Sequence, residues 1–220
     1  MADKRSEMAH YYDERAGEYE QIYFRDDAAR RKEIDDEVVR VRELAIDKKV
    51  LEIACGTGYW TQYLSETAKH VTAIDIAPQM IEEARKKTTI CPVEFVQADL
   101  NHLPDTSEKY DLIALGFWFS HHPRQEYDLL FNSLKSHLAP AGKIWMIDNN
   151  PPAEGPTQDS SYLDENGNNF KKRFLSDGRE FTIIKNYFSE SELREIYGQQ
   201  FKIERLTFGR HYWAVALMAM

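Results

Sequence analysis

The stretch that decides the fold is Val50-Leu51-Glu52-Ile53-Ala54-Cys55-Gly56-Thr57-Gly58. A short apolar run is followed by small residues and two glycines one residue apart, and an amphipathic segment comes next. This order predicts a buried strand that ends in a tight turn at a helix start, where the backbone approaches a ligand closely. Asp75 lies seventeen residues after Gly58, at the end of a second apolar run that begins at Val71. An acid at the tip of an adjacent strand is placed to accept hydrogen bonds from a ribose, so the pattern predicts a nucleoside-containing cofactor.

The residues around the two glycines bear on which cofactor this is. A dinucleotide-binding turn has a third glycine three positions after the second, so that helix and strand pack closely and the helix N-terminus meets a pyrophosphate. Here that position is Thr61, and the bulky Tyr59 and Trp60 precede it. Glu52, four residues before Gly56, would repel a pyrophosphate but suits a ligand that carries an ammonium group. The turn therefore disfavours a nicotinamide-dependent oxidoreductase.

Taken together, residues 52–58 resemble motif I of the class I S-adenosylmethionine-dependent methyltransferases. In that family an acid is followed by variable or small residues and then by Gly-x-Gly. The chain departs from the pattern at Ala54, where many members carry glycine. The resemblance implies a Rossmann-like fold, S-adenosyl-L-methionine as the cofactor, and cofactor contacts from Glu52, Ala54, Gly56 and Gly58.

The resemblance continues in order over residues 48–148. Asp75 and Ile76 resemble the ribose-binding acid and the apolar residue that packs on the adenine, and Gln97–Leu100 resembles the segment whose acid meets the adenine amino group. Tyr110–Trp118 resembles the fourth strand, which ends at the sulfonium centre, and Leu138–Lys143 resembles the turn before strand five. The cofactor-binding residues that this part of the resemblance implies are Asp75, Ile76, Asp99, Leu100 and Phe117.

The N-terminal segment His10–Tyr19 resembles the aromatic entry segment of many small-molecule methyltransferases, which folds over the bound cofactor. That resemblance implies that Tyr11, Tyr19 or Arg15 closes on the methionine end. Arg15 is suited to pair with a carboxylate, and tyrosine faces are suited to lie near a sulfonium. The alternative interpretation is an amphipathic helix whose tyrosines only cover the core.

Composition agrees with a single domain that does not bind a polyanion. A chain of 220 residues buries roughly 70% of its unfolded surface on folding, which is enough for one large sheet. The net charge is −9, whereas nucleic-acid binding needs a concentrated basic face. The N-terminus lacks the apolar stretch of a signal peptide, and the two cysteines are too few for a disulfide framework or a metal site. We therefore expect a cytoplasmic protein without a metal, a nucleic-acid partner or a membrane association.

The alternation of apolar segments predicts an α/β fold. We expect a doubly wound, mostly parallel sheet with helices on both faces and an antiparallel last strand, which Phe201–Phe208 and Tyr212–Met218 would form. Ser189 and Glu192 form a capping box that opens a helix. The predicted organisation of residues 1–220 is an N-terminal helical cap at 1–46, a cofactor-binding core at 48–148, an inserted loop and hairpin at 149–188, and a closing helix and strand pair at 189–220.

Residues 149–188 are longer than the fold requires at that point. The first part is rich in proline and glycine and predicts a polar loop, and the second predicts a β-hairpin on the Asp177-Gly178 turn. Long loops in compact domains are usually functional lids or disordered, and this one leaves the carboxyl end of a sheet strand, where ligands bind. We expect a substrate cover; a passive insertion or a dimer contact is the alternative.

His121 follows the predicted fourth strand by five residues, with His122 beside it. Methyl transfer needs alignment of the nucleophile and, for a neutral acceptor, removal of a proton, which a histidine of near-neutral pKa can accept. His121 is therefore the candidate general base. Alternatively, it orients the substrate or only shapes the loop. Phe117, Trp118 and Phe119 are expected to form walls of the pocket.

We therefore predict transfer of a methyl group from S-adenosyl-L-methionine to an oxygen or nitrogen of a small acceptor that is aromatic or partly apolar. The same fold acting on a macromolecule such as tRNA or protein is one alternative. A cofactor-binding regulatory protein without turnover is another. The protein would be a monomer or a homodimer.

Overall fold

The computed structural model describes residues 2–17, 19, 27–99, 108–151 and 161–220. Within these residues a seven-stranded sheet has the order β3-β2-β1-β4-β5-β10-β9, and a second sheet of three strands has the order β6-β7-β8. The strands are β1 (Lys49–Ile53), β2 (His70–Asp75), β3 (Val93–Gln97), β4 (Tyr110–Gly116), β5 (Leu138–Asn149), β6 (Ser161–Leu163), β7 (Asn169–Phe174), β8 (Glu180–Ile184), β9 (Phe201–Phe208) and β10 (Tyr212–Ala219).

The large sheet is parallel except for its last two strands, as predicted. Strand β1 pairs in parallel with β2 and β4, and these pair in parallel with β3 and β5. Strand β10 is antiparallel to both β5 and β9, which confirms the predicted closing pair. The carboxyl ends of β1, β2 and β4 therefore lie at one edge of the sheet, where a doubly wound fold binds its ligand.

Helices cover both faces of this sheet. Because side chains alternate along a strand, Leu51 and Ile53 pack on one face against α5 and α6, whereas Val50 packs on the other against α2 and α3. None of the described helices has the length and apolar composition needed to cross a membrane. The helices are α1 (Ala2–Arg15), α2 (Ala28–Ala45), α3 (Tyr59–Ser65), α4 (Pro78–Ala84), α5 (Tyr127–His137) and α6 (Glu190–Gly198).

Local sequence signals explain where several of these helices begin. Pro78 is the first residue of α4, a position where its missing N–H and fixed φ are favourable. Before α6, the Ser189 hydroxyl accepts from the Glu192 N–H and the Glu192 carboxylate accepts from the Ser189 N–H, which is the predicted capping box. The segment after Pro123 begins with a 3-10 turn at Arg124–Glu126 before it continues as α5.

The three-stranded sheet β6-β7-β8 belongs to the predicted insertion. Strands β7 and β8 form the expected hairpin, with Gly178 at φ +88 in the turn. Strand β6 was not predicted, since it lies in the stretch that we interpreted as a polar loop. It has only three residues, and a local pattern of so few residues cannot indicate that the segment pairs with β7. Residues 152–160 of the expected loop lie outside the described residues.

A buried ion pair joins this small sheet to the large one. Lys185, directly after β8, places its Nζ 3.0 Å from Oδ1 of Asp148 near the end of β5, and the two side chains are 9% and 0% exposed. The same ammonium donates to the Ser120 hydroxyl at 2.7 Å, and Asp148 Oδ2 accepts the Ser120 N–H at 2.8 Å. Burial acts most strongly and raises the pKa of Asp148, but the Lys185 ammonium and the N–H donors of Ser120 and Asn149 act together against it, and the pKa lies below its ordinary value.

A second buried acid lies beneath the glycine turn. Glu52 on β1 is 2% exposed, and its Oε2 accepts a 2.6 Å hydrogen bond from the hydroxyl of Thr61 in α3. Thr61 occupies the position of a dinucleotide fold's third glycine, so the two departures from that fingerprint are bonded to each other. Burial raises the pKa of Glu52 to about 8, against the smaller lowering effect of the Thr61 bond.

We predict that Lys185→Met lowers the free energy of unfolding by about 3–5 kcal/mol, because it leaves the Asp148 carboxylate buried without a counter-ion. Urea denaturation followed by circular dichroism measures this. The matched control is Lys172→Met in the same hairpin, where the lysine pairs with Glu180 on the surface and both side chains are more than 40% exposed. Its loss should be at most about 1 kcal/mol. Similar small losses of unfolding free energy in both variants would show that the buried pair is not needed for stability.

The raised pKa of Glu52 predicts a pH-dependent stability. A folded-state pKa near 8 means that the folded protein holds this proton more tightly than the unfolded chain. The stabilisation of the folded state by protonated Glu52 is fully present below the unfolded-state pKa near 4.5. It is lost as the pH rises through 8, and the free energy of unfolding then falls by on the order of 4 kcal/mol. Urea denaturation at pH 5 and pH 9 should show a smaller difference for Glu52→Gln than for the parent protein. Glu94→Gln, at an exposed position on β3, should leave the difference as it is.

Candidate active site

A cavity of about 550 Å³ lies at the carboxyl ends of β1, β2 and β4. Its floor is the edge of the large sheet, and two adjoining walls are α1 and the three-stranded insertion, which contact each other through Tyr11 and Phe181. Phe170, Thr182 and Ile184 come from the insertion, and Tyr12 comes from α1. From the sheet edge the lining residues include Ala54, Gly56, Asp75, Ile76, Asp99 and Phe117. Six separate parts of the sequence therefore meet at one site.

The turn after β1 has the left-handed backbone that the glycine pattern predicts. Gly56 has φ +54, and a side chain there would meet nothing nearer than Tyr19 at 3.9 Å, so the missing side chain opens the backbone to the cavity. Ala54 also has a positive φ of 54. A residue other than glycine pays about 1–2 kcal/mol for that conformation. The departure from the family pattern is therefore a backbone position where glycine is favoured.

The second glycine of the motif, Gly58, has a packing role instead. Gly58, at φ +81, does not line the cavity. A Cβ there would lie 3.1 Å from Ala84, so the missing side chain allows α4 to pack against the turn. Glu52 likewise does not line the cavity but lies beneath the turn against Thr61.

Asp75 holds the turn and still faces the cavity. Its Oδ2 accepts the Gly56 N–H and its Oδ1 accepts the Ala77 N–H, both at 2.9 Å. Burial raises the pKa of Asp75, and these N–H donors oppose the rise. Each carboxylate oxygen has a further lone pair, which leaves acceptors for hydroxyl groups in the cavity.

The other residues assigned to the nucleoside lie around Asp75. Ile76 lines the cavity and is 44% exposed, so its side chain is accessible to a ligand there. Asp99 lines the cavity after β3. Leu100, also assigned to the cofactor, lies outside the described residues. Phe117, with φ +58 after β4, forms part of the wall together with Trp118, whereas Phe119 points into the core and stacks on Tyr127 at 4.9 Å.

Helix α1 presents a different tyrosine to the cavity from the one expected. Tyr11 is 1% exposed and packs on Phe181 of β8, and Arg15 donates to the Tyr11 hydroxyl at 2.9 Å, so neither lines the cavity. Tyr12 and Tyr19 do line it. Adjacent residues of a helix point about 100° apart, and Tyr12 shares a face with Met8, four residues earlier. That apolar i, i+4 pair was the available signal for Tyr12.

His121 lies at the cavity wall in the 3-10 turn Phe119–His121 and is 7% exposed. Its Nδ1 is hydrogen-bonded to the backbone carbonyl of Ile184, and its Nε2 lies 2.9 Å from the Tyr12 hydroxyl. Burial, with the Lys185 ammonium adding to it, lowers the pKa of His121 to about 3. The imidazole is therefore neutral at physiological pH. His122 also lines the cavity, with its ring 5.0 Å from that of Trp118.

The charged groups at the cavity are all acidic. Four carboxyl groups line it, and no lysine or arginine does so among the residues that the structure describes. Aromatic and aliphatic side chains form most of the remaining wall. A cationic ligand is therefore favoured here electrostatically, whereas a ligand with a pyrophosphate is disfavoured. The carboxyl groups are Asp75, Asp99, Asp164 and Glu165.

Comparison with known proteins agrees with this site. A family model described as a methyltransferase domain matches residues 50–142. Demethylmenaquinone methyltransferase of Thermus thermophilus is 31% identical over 123 residues, which are 53% of this chain and 55% of that protein. The Staphylococcus aureus protein of the same name is 30% identical over 108 residues, 47% of this chain and 44% of that protein. The chain thus spans about half the length of the curated relatives that it matches.

Solved structures match over the whole chain. The structure of a DhpI–SAH complex has a TM-score of 0.78 and 26% identity and covers 100% of this chain and 98% of its own, and a DhpI–SAM–HEP complex has a TM-score of 0.77. The Burkholderia thailandensis 1,6-didemethyltoxoflavin-N1-methyltransferase, with bound 1,6-didemethyltoxoflavin and S-adenosylhomocysteine, has a TM-score of 0.68. It is 18% identical and covers 100% of this chain and 90% of its own, which supports the fold. Motif, sheet order, family model and cofactor-bound neighbours agree, and together they support a class I S-adenosylmethionine-dependent methyltransferase with S-adenosylmethionine as its cofactor.

Proposed function

We propose that this chain transfers the methyl group of S-adenosyl-L-methionine to an oxygen or nitrogen of a small, aromatic or partly apolar acceptor. One observation carries the proposal: a single cavity extends from the glycine turn and Asp75 to the inserted sheet. A cofactor at the sheet edge and an acceptor against the insertion would therefore share one enclosed space. Methyl transfer requires this arrangement, because the nucleophile must approach the activated carbon in line and without water.

The cofactor end follows from the residues at the sheet edge. Asp75 would accept from the ribose hydroxyls, Ile76 would pack on the adenine, and Asp99 would accept from its amino group. At the other end of the cofactor, the acidic cavity and the faces of Tyr19 and Phe117 suit a sulfonium. Of the three N-terminal residues expected there, the geometry supports Tyr19, whereas Tyr11 and Arg15 do not line the cavity. Glu52 and Gly58 would act indirectly, by shaping the turn.

The acceptor end is bounded by aromatic and amide side chains. Trp118 and Phe170 offer flat aromatic surfaces, Ile184 offers an aliphatic one, and Gln125 carries an amide that can form hydrogen bonds. Since the charged groups of the lining are carboxyls, a neutral or cationic acceptor is favoured over a strongly anionic one. Helix α1 and the inserted sheet, which pack against each other beside the cavity, would restrict access by a macromolecule. The relatives named for demethylmenaquinone and didemethyltoxoflavin carry the names of small ring compounds, which supports the same class.

His121 is less suited to act as the base than the sequence indicated, because both of its ring nitrogens have protein partners and its pKa is low. A histidine base of ordinary pKa would give a rate that rises with pH in the histidine range. A pKa near 3 removes that rise, because the imidazole is already neutral above about pH 4. It also makes His121 a weak base, so alignment, desolvation and the positive sulfur carry most of the rate. Because His121 cannot supply strong base catalysis, the acceptor would have to be one that loses its proton readily.

Turnover is the direct test. Purified protein should form S-adenosylhomocysteine from S-adenosylmethionine only when an acceptor is present, as measured by liquid chromatography and mass spectrometry with a panel of phenols, aromatic amines and quinols. An acceptor-dependent product that carries an added methyl group is the expected result. Tight binding of S-adenosylhomocysteine without any turnover would instead favour the regulatory alternative. Turnover with tRNA or protein alone would refute the small-molecule class.

Asp75→Asn should weaken S-adenosylhomocysteine by about tenfold or more, since it replaces a charged acceptor worth about 1.5–3 kcal/mol. Isothermal titration calorimetry measures this. The control is Asp111→Asn at the amino end of β4, away from the cavity. The Asp111 carboxylate likewise accepts a backbone N–H, from Lys49 at 2.9 Å. Both variants lose a charged acceptor of a main-chain donor, but only Asp75 faces the cavity. Equal affinities in the two variants would be incompatible with the assigned ribose site.

A further inference from the structure

The hydrogen bonds of His121 determine which of its nitrogens carries the proton. Nδ1 is bonded to the backbone carbonyl of Ile184, and a carbonyl oxygen can only accept. Nδ1 must therefore be the protonated nitrogen. Because the imidazole is neutral, Nε2 then has a lone pair and no proton.

This assignment determines the direction of the next hydrogen bond. The Tyr12 hydroxyl lies 2.9 Å from Nε2, and since Nε2 can only accept, Tyr12 donates. Burial raises the pKa of Tyr12 well above its ordinary value, so the hydroxyl keeps its proton. A phenolic hydroxyl has one proton and two lone pairs. With the proton directed at His121, the Tyr12 oxygen can act only as an acceptor toward the cavity.

Tyr12 cannot easily turn away from this position. Helix α1 is attached at both ends of the cavity: the Glu7 carboxylate accepts the Thr182 N–H of β8 at 2.9 Å, and the Asp13 carboxylate accepts the Gln79 N–H of α4 at 2.8 Å. The Tyr12 ring also packs edge-on against Tyr19 and His121, with centroids 5.9 and 5.4 Å away. No second polar partner of its hydroxyl occurs in the part of the chain that the structure describes.

We propose that Tyr12 is the specificity-determining residue of the acceptor end, a hydrogen-bond acceptor that selects a substrate presenting an O–H or N–H, with His121 as its positioning residue. This inference rests on the proposed function, since it concerns the acceptor of the same reaction. It also distinguishes substrate from product. Methylation of a hydroxyl gives an ether, which has no proton to offer the Tyr12 oxygen, so the product loses the contact that oriented the substrate.

The first test is the state of His121, which does not depend on turnover. In protein labelled with ¹⁵N-histidine, long-range ¹H–¹⁵N correlation spectra at pH 7 should show His121 as the Nδ1–H tautomer with an unprotonated Nε2. Tyr12→Phe should keep that tautomer but move the Nε2 resonance, because its donor is gone. A protonated Nε2 in the parent protein would overturn the proposal.

The second test uses phenol and anisole, which differ only in that the O–H of phenol is replaced by O–CH₃. Their affinities are measured by NMR titration of protein saturated with S-adenosylhomocysteine. The parent protein should bind phenol about two- to tenfold more tightly than anisole, the range expected for one hydrogen bond. Tyr12→Phe should abolish the preference and leave the S-adenosylhomocysteine affinity unchanged. His121→Asn frees the Tyr12 proton to donate to the ether oxygen, and should reduce or reverse the preference.

The outcomes separate this inference from the proposed function. Equal binding of the two probes by the parent protein, tighter binding of anisole, or no binding of either probe near Tyr12 would overturn the role of Tyr12. A preference for phenol that survives Tyr12→Phe would overturn it as well. Failure of the parent protein to bind S-adenosylhomocysteine would instead count against the proposed function, and the tautomer measurement would still test the geometry of the pair. If His121→Asn does not fold, Tyr12→Phe alone decides.

Discussion

The structure depends on the buried contact between Lys185 and Asp148. It joins the end of the inserted sheet to the end of β5, and through the Ser120 hydroxyl and N–H it also fixes the turn that carries His121. Lys185 follows Ile184 directly, so the ion pair positions the carbonyl that binds His121 Nδ1. Buried ion pairs often stabilise a fold little compared with apolar residues of the same volume, but removing one partner is costly. The pair therefore serves mainly to specify where the insertion sits.

The acids near the sheet edge are held in opposite electrostatic states. Burial raises the pKa values of Glu52 and Asp75, whereas the ammonium of Lys185 keeps that of Asp148 low. Asp148 is thus neutralised by the protein itself. Asp75 has main-chain donors but no cation among its described partners, and Glu52 has only the Thr61 hydroxyl. A cationic ligand at the cavity would lower the cost of ionising Glu52, so binding of such a ligand would be linked to proton release from that acid.

Much of the fold could be predicted because its signals are local. The glycine turn, the Pro78 start of α4, the Ser189 capping box and the Asp-Gly hairpin each depend on residues a few positions apart. The choice between Tyr11 and Tyr12 was missed, since a one-residue change of helical phase needs the tertiary packing on Phe181 to decide it. The Lys185–Asp148 pair joins residues 37 positions apart, and no periodic pattern connects them. Strand β6 depends on a neighbouring edge, not on its own three residues.

The attachment of α1 to the insertion has a consequence for how such a site can diversify. Glu7 binds the main-chain N–H of residue 182, while the side chain of Thr182 faces the cavity. Every amino acid except proline supplies the same N–H, so the identity of residue 182 is free to change without releasing the helix. The same holds at Gln79, whose N–H binds Asp13. Mutational drift at position 182 would therefore alter the shape of the pocket but not its closure. Because Glu7 binds a main-chain N–H that all these residues share, positions 7 and 182 should show little covariation among descendants of this sequence.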